Sequence, residues 1–137
     1  MNTHVHFQRL RALRFAAVLS AVLALPACSD ATGLNRPGGI GIAAGDDQAL
    51  VVGARSQPLR VVVVDEKDQP LAGVVVFWSV VDGSGAVSAP TAFTDADGAS
   101  EIIFTAGGTP GAAHIRAMVV SLDPVEFNVT VDAAQQQ

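Results

Sequence analysis

Residues 112–131 read Ala-Ala-His-Ile-Arg-Ala-Met-Val-Val-Ser-Leu-Asp-Pro-Val-Glu-Phe-Asn-Val-Thr-Val, and their alternation decides the fold class. Ala113, Ile115 and Ala117 fall on one side, with His114, Arg116 and Met118 on the other. After Asp123-Pro124 the pattern resumes, Val125, Phe127, Val129 and Val131 opposing Glu126, Asn128 and Thr130. A period of two residues is the mark of a strand with one buried and one wet face, because successive side chains of an extended backbone point to opposite sides. Two such strands separated by a turn imply a sheet that buries one face.

Working outward, turn-forming clusters recur at Gly45-Asp46-Asp47, Asp65 to Pro70, Asp82 to Gly85, Asp95 to Gly98, Gly107 to Gly111 and Asp123-Pro124. Between them lie candidate strands at Ile40–Ala44, Ala49–Val52, Leu59–Val64, Val74–Val81, Thr91–Thr94, Ser100–Thr105, Ala112–Val120 and Val125–Val131. Short β-branched segments with regular turn spacing predict an all-β sandwich of two antiparallel sheets over residues 40–132, followed by a disordered tail at 133–137. In the strand after Gly73, Val74, Val76, Trp78 and Val80 are assigned inward and Val75, Phe77, Ser79 and Val81 outward. The predicted core is Val63, Val76, Trp78, Val80, Ile102, Phe104, Ile115, Phe127 and Val129. Trp78 is its central aromatic, and its indole N–H requires a partner.

The chain ahead of the sandwich has a different character. A basic stretch from His4 to Arg14 precedes an apolar run of 11 residues, Phe15 to Leu25, and then Pro26, Ala27 and Cys28. That run is well short of the roughly 20 residues a membrane-spanning helix needs. Residues 1–27 therefore read as a signal-peptide helix. Leu25-Pro26-Ala27-Cys28 resembles the lipobox of bacterial lipoproteins, although Pro26 departs from the usual small or hydroxyl residue. The resemblance implies cleavage before Cys28 and lipid attachment to it. Cys28 is the one cysteine of the chain, so no disulfide can form within it. Ser29, where inner-membrane lipoproteins of enteric bacteria often carry Asp, favours the outer membrane. Residues 28–39, ending in Pro37-Gly38-Gly39, read as a lipidated cysteine on a flexible tether. The expected localisation is thus export with lipid anchoring to the bacterial membrane.

The stretch Asp65-Glu66-Lys67-Asp68-Gln69-Pro70-Leu71-Ala72-Gly73-Val74, then Phe77-Trp78-Ser79-Val80, Gly83-Ser84-Gly85 and Thr94-Asp95-Ala96-Asp97-Gly98-Ala99, is similar to the bacterial immunoglobulin-like group 1 domain. That family supplies the repeated rod domains of invasin and intimin adhesins. The resemblance runs from about Gly45 to Val131. It implies an immunoglobulin-like sandwich used for spacing, adhesion or binding, with no catalytic set to transfer. A second resemblance, through Pro-x-x-Gly-x-x-Val and a later Thr-Asp-x-x-Gly, is to the carboxypeptidase regulatory-like, transthyretin-like sandwich, a carbohydrate- or protein-binding fold. Gly83-Ser84-Gly85 and the long strand through Trp78 favour the first.

Composition narrows the function further. All 13 acidic residues lie at Asp30 or later against five basic ones beyond the leader, for a net charge of −8 there. No basic stripe offers itself to phosphates, so no nucleic-acid partner is expected. His114 is the single histidine after the leader and sits mid-strand beside Arg116, which argues against a general base and against an enzyme. Asp65, Glu66 and Asp68, and Asp95 and Asp97, are preferred turn residues without the spacing of a calcium loop; no metal or cofactor is expected. What exceeds a plain sandwich is the set of outward apolar residues. Val75, Phe77, Val81 and Met118 are the candidate interaction face, with Val62, Val64 and Ile103 on the opposite sheet. The expected function is a lipid-anchored binding or adhesion module of the cell envelope with a protein or glycan partner. The alternative is an accessory subunit docking onto another envelope complex.

Overall fold

The computed structural model describes residues 35–136. The leader, Cys28 and the tether as far as residue 34 lie outside the described residues. Ten strands make up the domain: β1 (Pro37–Ala44), β2 (Gln48–Val51), β3 (Leu59–Asp65), β4 (Val75–Asp82), β5 (Gly85–Val87), β6 (Thr91–Phe93), β7 (Ala99–Ile102), β8 (Phe104–Ala106), β9 (Gly111–Met118) and β10 (Val125–Asp132). They form a three-stranded sheet in the order β1-β3-β7, a five-stranded sheet in the order β2-β10-β9-β4-β6, and a two-stranded ladder β5-β8.

The sandwich closes on the faces that alternation selects. Val61 and Val63 of β3, Val76 and Trp78 of β4, Ile115 of β9, and Phe127 and Val129 of β10 are all buried, as are Ile102 and Phe104. Each such side chain contributes about 1.5–3 kcal/mol when fully withdrawn from water. The Trp78 and Phe127 rings pack at a 5.7 Å centroid separation and a 34° tilt. Val80 departs from the expected core: it is half-buried and packs on the core margin, because β4 bulges between Val80 and Asp82 as it leaves the sheet. The indole N–H of Trp78, expected to find a partner, has none.

Four further expectations are corrected. Pro37-Gly38-Gly39, read as tether, already belongs to β1, with Pro37 opposite Asp65 and Gly39 opposite Val64. Local composition says loop, but β3 offers an unpaired edge, and tertiary pairing overrides weak propensity. The absent side chain is itself needed there, since a Cβ on Gly38 would lie 2.5 Å from the Asp65 carbonyl oxygen. The sheets are not purely antiparallel, because β2 runs parallel to β10, Thr130 opposite Ala49. The single strand expected over Ser100–Thr105 is two: β7 pairs with β3, and β8 pairs with β5. The change of partner occurs at Ile103, whose N–H donates to Ser88 Oγ at 3.0 Å while its carbonyl accepts from the Ser88 N–H at 2.8 Å. Finally β5 was not anticipated; Gly85-Ala86-Val87 is too short to show a period.

Strand directions set the two ends of the domain apart. β1 starts where β3 and β9 finish and where β4 and β10 begin, so the turns after Asp65, Phe93 and Met118 gather at the end where the chain arrives. β10 finishes at the opposite end, beside the turns at 52–54, Gly83–Ser84 and Gly107–Pro110, whereas Gly45–Asp47 joins β1 to β2 partway along β10, where Asp46 Oδ1 accepts from the Asn128 N–H at 2.8 Å.

Candidate interaction surface

The outer face of the five-stranded sheet carries the predicted interaction residues, and the register shows which of them meet. Phe77 of β4 stands opposite Met118 of β9 on one side and Thr91 of β6 on the other. Val75 stands opposite Phe93. Beyond Met118 the chain leaves β9 in a turn, the Leu122 N–H donating to the Val119 carbonyl at 3.1 Å, with Val119 buried and Val120 exposed. Opposed residues in an antiparallel pair hold their Cβ atoms about 4.5–5.5 Å apart. The result is two adjoining cross-strand rows, Phe93–Val75 and Thr91–Phe77–Met118, with Val120 in the turn that follows Met118. Phe93 is 69% exposed, Val120 67%, Met118 41% and Phe77 39%.

Two of the four predicted members are placed differently. Val75 is half-buried, with Phe93 opposite it. Val81 is exposed but stands apart, as the extra residue of the β4 bulge. Ser79 and Arg116 occupy the row between it and the patch. Arg116 is tied there to Glu126 across β9 and β10, Nε and Nη2 both donating to Oε1 at 3.0 and 2.6 Å. On the other sheet, Val62, Val64 and Ile103 are half-buried instead of forming an open face. Val64 leans over β1, where its Cγ2 would lie 3.3 Å from a Cβ on Gly39.

Sequence reasoning missed Phe93 and Val120, the most open residues of the patch. For Val120 the signal was its parity with Met118. For Phe93 it was a place between Ala92 and Thr94, one of which is half-buried and the other buried. Thr94 was missed as well, and it holds the patch together. It is 5% exposed, its Oγ1 donating to the Leu71 carbonyl at 2.6 Å and accepting from the Val74 N–H at 2.9 Å. The end of β6 is thereby fixed to the start of β4, and Phe93 to Val75.

Polar chemistry elsewhere is spent on turns. Asp65 Oδ1 accepts from the N–H groups of Lys67 and Gln69 at 2.8 and 3.0 Å. Asp95 Oδ1 accepts from those of Asp97 and Ala99 at 2.9 and 3.0 Å. Both are Asx-type turn caps. In the second turn Gly98 takes φ +72°, as a turn ending in Gly requires. Among the described residues no three His, Cys, Asp or Glu side chains are grouped to hold a metal ion. A cleft of about 310 Å³ lies between the start of β1 and the β9–β10 turn, lined by Gly38, Gly39, Ile40, Ser121, Leu122 and Asp123. It brings together the Asp123 carboxylate, the Ser121 hydroxyl, Ile40, Leu122 and glycine backbone.

Comparison with known proteins bears on this architecture. Residues 40–131 match the bacterial Ig-like domain (group 1). The D00-D0 domain of intimin superposes with a TM-score of 0.55 at 17% identity, covering 69% of this chain and 47% of that one. A C-terminal 282-residue fragment of intimin, in complex with the intimin-binding domain of the translocated intimin receptor, gives 0.50 at 23% identity, covering 66% and 33%. A glycosyl hydrolase family 2 member from Bacteroides cellulosilyticus gives 0.56 at 19% identity, covering 71% and 14%. The chain thus spans about half the length of the intimin D00-D0 structure and less of the other two. No curated protein matches. At these identities the structural likeness establishes the fold, and the family match decides between the two sandwich resemblances. The chain belongs to the bacterial Ig-like domain (group 1) family, with its family domain at residues 40–131.

Proposed function

We propose that this protein is a non-catalytic binding module of the bacterial cell envelope, cut before Cys28, anchored through a lipid on that residue, and engaging a protein or glycan partner through its immunoglobulin-like domain. The observation that carries the reading is a juxtaposition in the chain. A leader ending in Leu25-Pro26-Ala27-Cys28 stands nine residues ahead of a domain in which Asp65 and Asp95 are occupied in turns and Arg116 and Glu126 in a cross-strand pair. A binding role is supported by the intimin fragment, whose structure was determined with a receptor domain bound. Outer-membrane placement follows from Ser29 after the cysteine.

Metabolic labelling with an alkyne palmitate analogue tests the anchor: wild type is expected to take up label and Cys28→Ala to lose it. Equal labelling of both, or an intact N-terminus on a cytoplasmic protein, refutes it. Affinity capture from detergent-solubilised envelope, with the lipidated protein as bait, tests the binding role; the expected result is a partner retained by wild type and absent from a bait carrying an unrelated sandwich domain.

A further inference from the structure

We infer that the apolar patch of Phe93, Val120, Met118 and Phe77 is a lipid-contact rim that lies on the surface of the membrane holding the chain's own anchor, in contact with zwitterionic phospholipid. The inference rests on the reading of Cys28 as the lipidated residue.

Position is the first argument. Phe93 closes β6, Met118 closes β9, Val75 opens β4, and Val120 lies just beyond β9. All therefore sit at the end of the sandwich where the chain arrives, rimming the outer face of the five-stranded sheet. β1 begins at that same end, and the cleft lined by Gly38, Gly39, Ser121 and Asp123 places its start against the turn that holds Val120 and Ser121. From Cys28 to Pro37 is nine residues, which span at most about 30 Å when extended. A lipid on Cys28 holds this end of the domain within that distance of the bilayer.

Size is the second. The patch is four exposed apolar side chains around the half-buried Val75, against the roughly 20–30 residues a side of a standard stable interface. Such a surface is too small to hold a second copy or to recruit the domain to a membrane unaided. Tethering changes the arithmetic, since a contact made within one anchored molecule works at a high effective concentration. Phenylalanine, methionine and valine at the rim suit the boundary between headgroups and acyl chains, where apolar faces of surface-bound proteins are buried about 5–10 Å deep.

Charge selects the lipid. Glu66 and Asp68 leave β3, which belongs to the other sheet, and Asp95 and Asp97 occupy the crossing from β6 to β7. Leaning on the five-stranded side lifts the Glu66–Asp68 turn away from the bilayer. Asp123 stays close to it, and with the exposed Glu66, Asp68, Asp95, Asp97 and Asp123 at this end outnumbering Arg36 and Lys67, anionic headgroups repel it on balance. Neutral headgroups carry no such penalty.

The test uses full-length lipidated protein with an environment-sensitive NBD dye on Val120→Cys, on Phe93→Cys, or on Thr109→Cys at the opposite end. Modification of the Cys28 sulfur leaves the introduced thiol as the reactive one. On vesicles of phosphatidylcholine and phosphatidylethanolamine, the dye at positions 120 and 93 is expected to shift to the blue and to be quenched by doxyl-labelled lipid. At position 109 it should keep its aqueous emission. Flotation with the same vesicles reports the anchor separately, and thermal unfolding of each labelled protein confirms its fold. Floated, folded protein whose dyes at 120 and 93 emit as the one at 109 does overturns the lipid-contact rim and leaves the anchor standing. Protein that does not float overturns the anchor, and the rim with it.

Discussion

Replacing Thr94 by valine isolates one hydroxyl whose loss the geometry prices. Valine matches threonine in shape, so no cavity opens, but the Oγ1 bonds to the Leu71 carbonyl (2.6 Å) and from the Val74 N–H (2.9 Å) both disappear. Thr94 is 5% exposed and Leu71 8%, so water cannot readily replace the first bond; Val74 is half-buried and recovers part of the second. A buried polar group left without a partner costs about 1–3 kcal/mol; with about 1–2 taken for the Leu71 carbonyl and about 1 for the Val74 N–H, the sum is about 2–3 kcal/mol. Urea unfolding followed by Trp78 emission measures it. With a slope of about 1 kcal/mol per molar for a domain of this size, the midpoint should fall by about 2–3 M at unchanged slope. Thr94→Ser keeps the hydroxyl and forfeits one methyl, so it should lose only about 0.8 kcal/mol. A Thr94→Val midpoint within about 0.5 M of wild type, or a Thr94→Ser protein as weak as Thr94→Val, refutes the reasoning that this hydroxyl fixes β6 to β4.

Other substitutions probe other links. Gly98→Ala forces a side chain onto φ +72° with its Cβ 2.5 Å from the Val63 carbonyl oxygen, whereas Gly108 has nothing within 4 Å of an added Cβ. The first should cost about 2–3 kcal/mol and the second less than about 0.5, read as a Tm drop of about 10 °C or more against almost none. Arg116→Ala severs a pair whose side chains are 42% and 43% exposed. Its cost in thermal unfolding should stay below about 1 kcal/mol and shrink further in high salt. Trp78→Phe removes an indole N–H that has no partner. The gain from deleting a stranded donor offsets part of the lost packing, so chemical unfolding should show a loss of about 1–2 kcal/mol, less than the 3–5 typical of deleting a buried aromatic.

What the sequence disclosed is what alternation can encode. β9 and β10 each obey period two for seven or more residues, and every inward assignment on β9, Ala113, Ile115 and Ala117, is buried. Phe127, Val129 and Val131 follow on β10. The pattern is silent where the partner, not the residue, decides. β1 is glycine-rich and is a strand because β3 has an edge to fill; β7 and β8 are one extended segment divided by a change of partner at Ile103. The same limit applied to the surface. Parity along β4 placed Phe77 outward, but only the lateral register brings Phe93 beside Val75 and Met118 beside Phe77, and sets Val81 apart. Thr94 looked like any polar residue at a strand end, because the groups it bonds lie 20 and 23 residues away.

The division of the sandwich into two ends gives these surface assignments a joint consequence. Because β1 begins at one end and β10 finishes at the other, a lipid attached ahead of β1 fixes which turns face the bilayer. If Phe93 and Val120 lie on lipid, the turns at 52–54, Gly83–Ser84 and Gly107–Pro110 point away from it, as does the side of the three-stranded sheet bearing Arg60 and Glu101. A protein or glycan partner approaching the membrane meets those surfaces first. Substitutions that weaken partner capture should therefore map to them and leave the emission of a dye at position 120 unchanged, whereas Phe93→Ser should do the reverse. A single substitution that abolishes both would mean that partner and lipid compete for the patch, and would return Phe77 and Met118 to the partner's side.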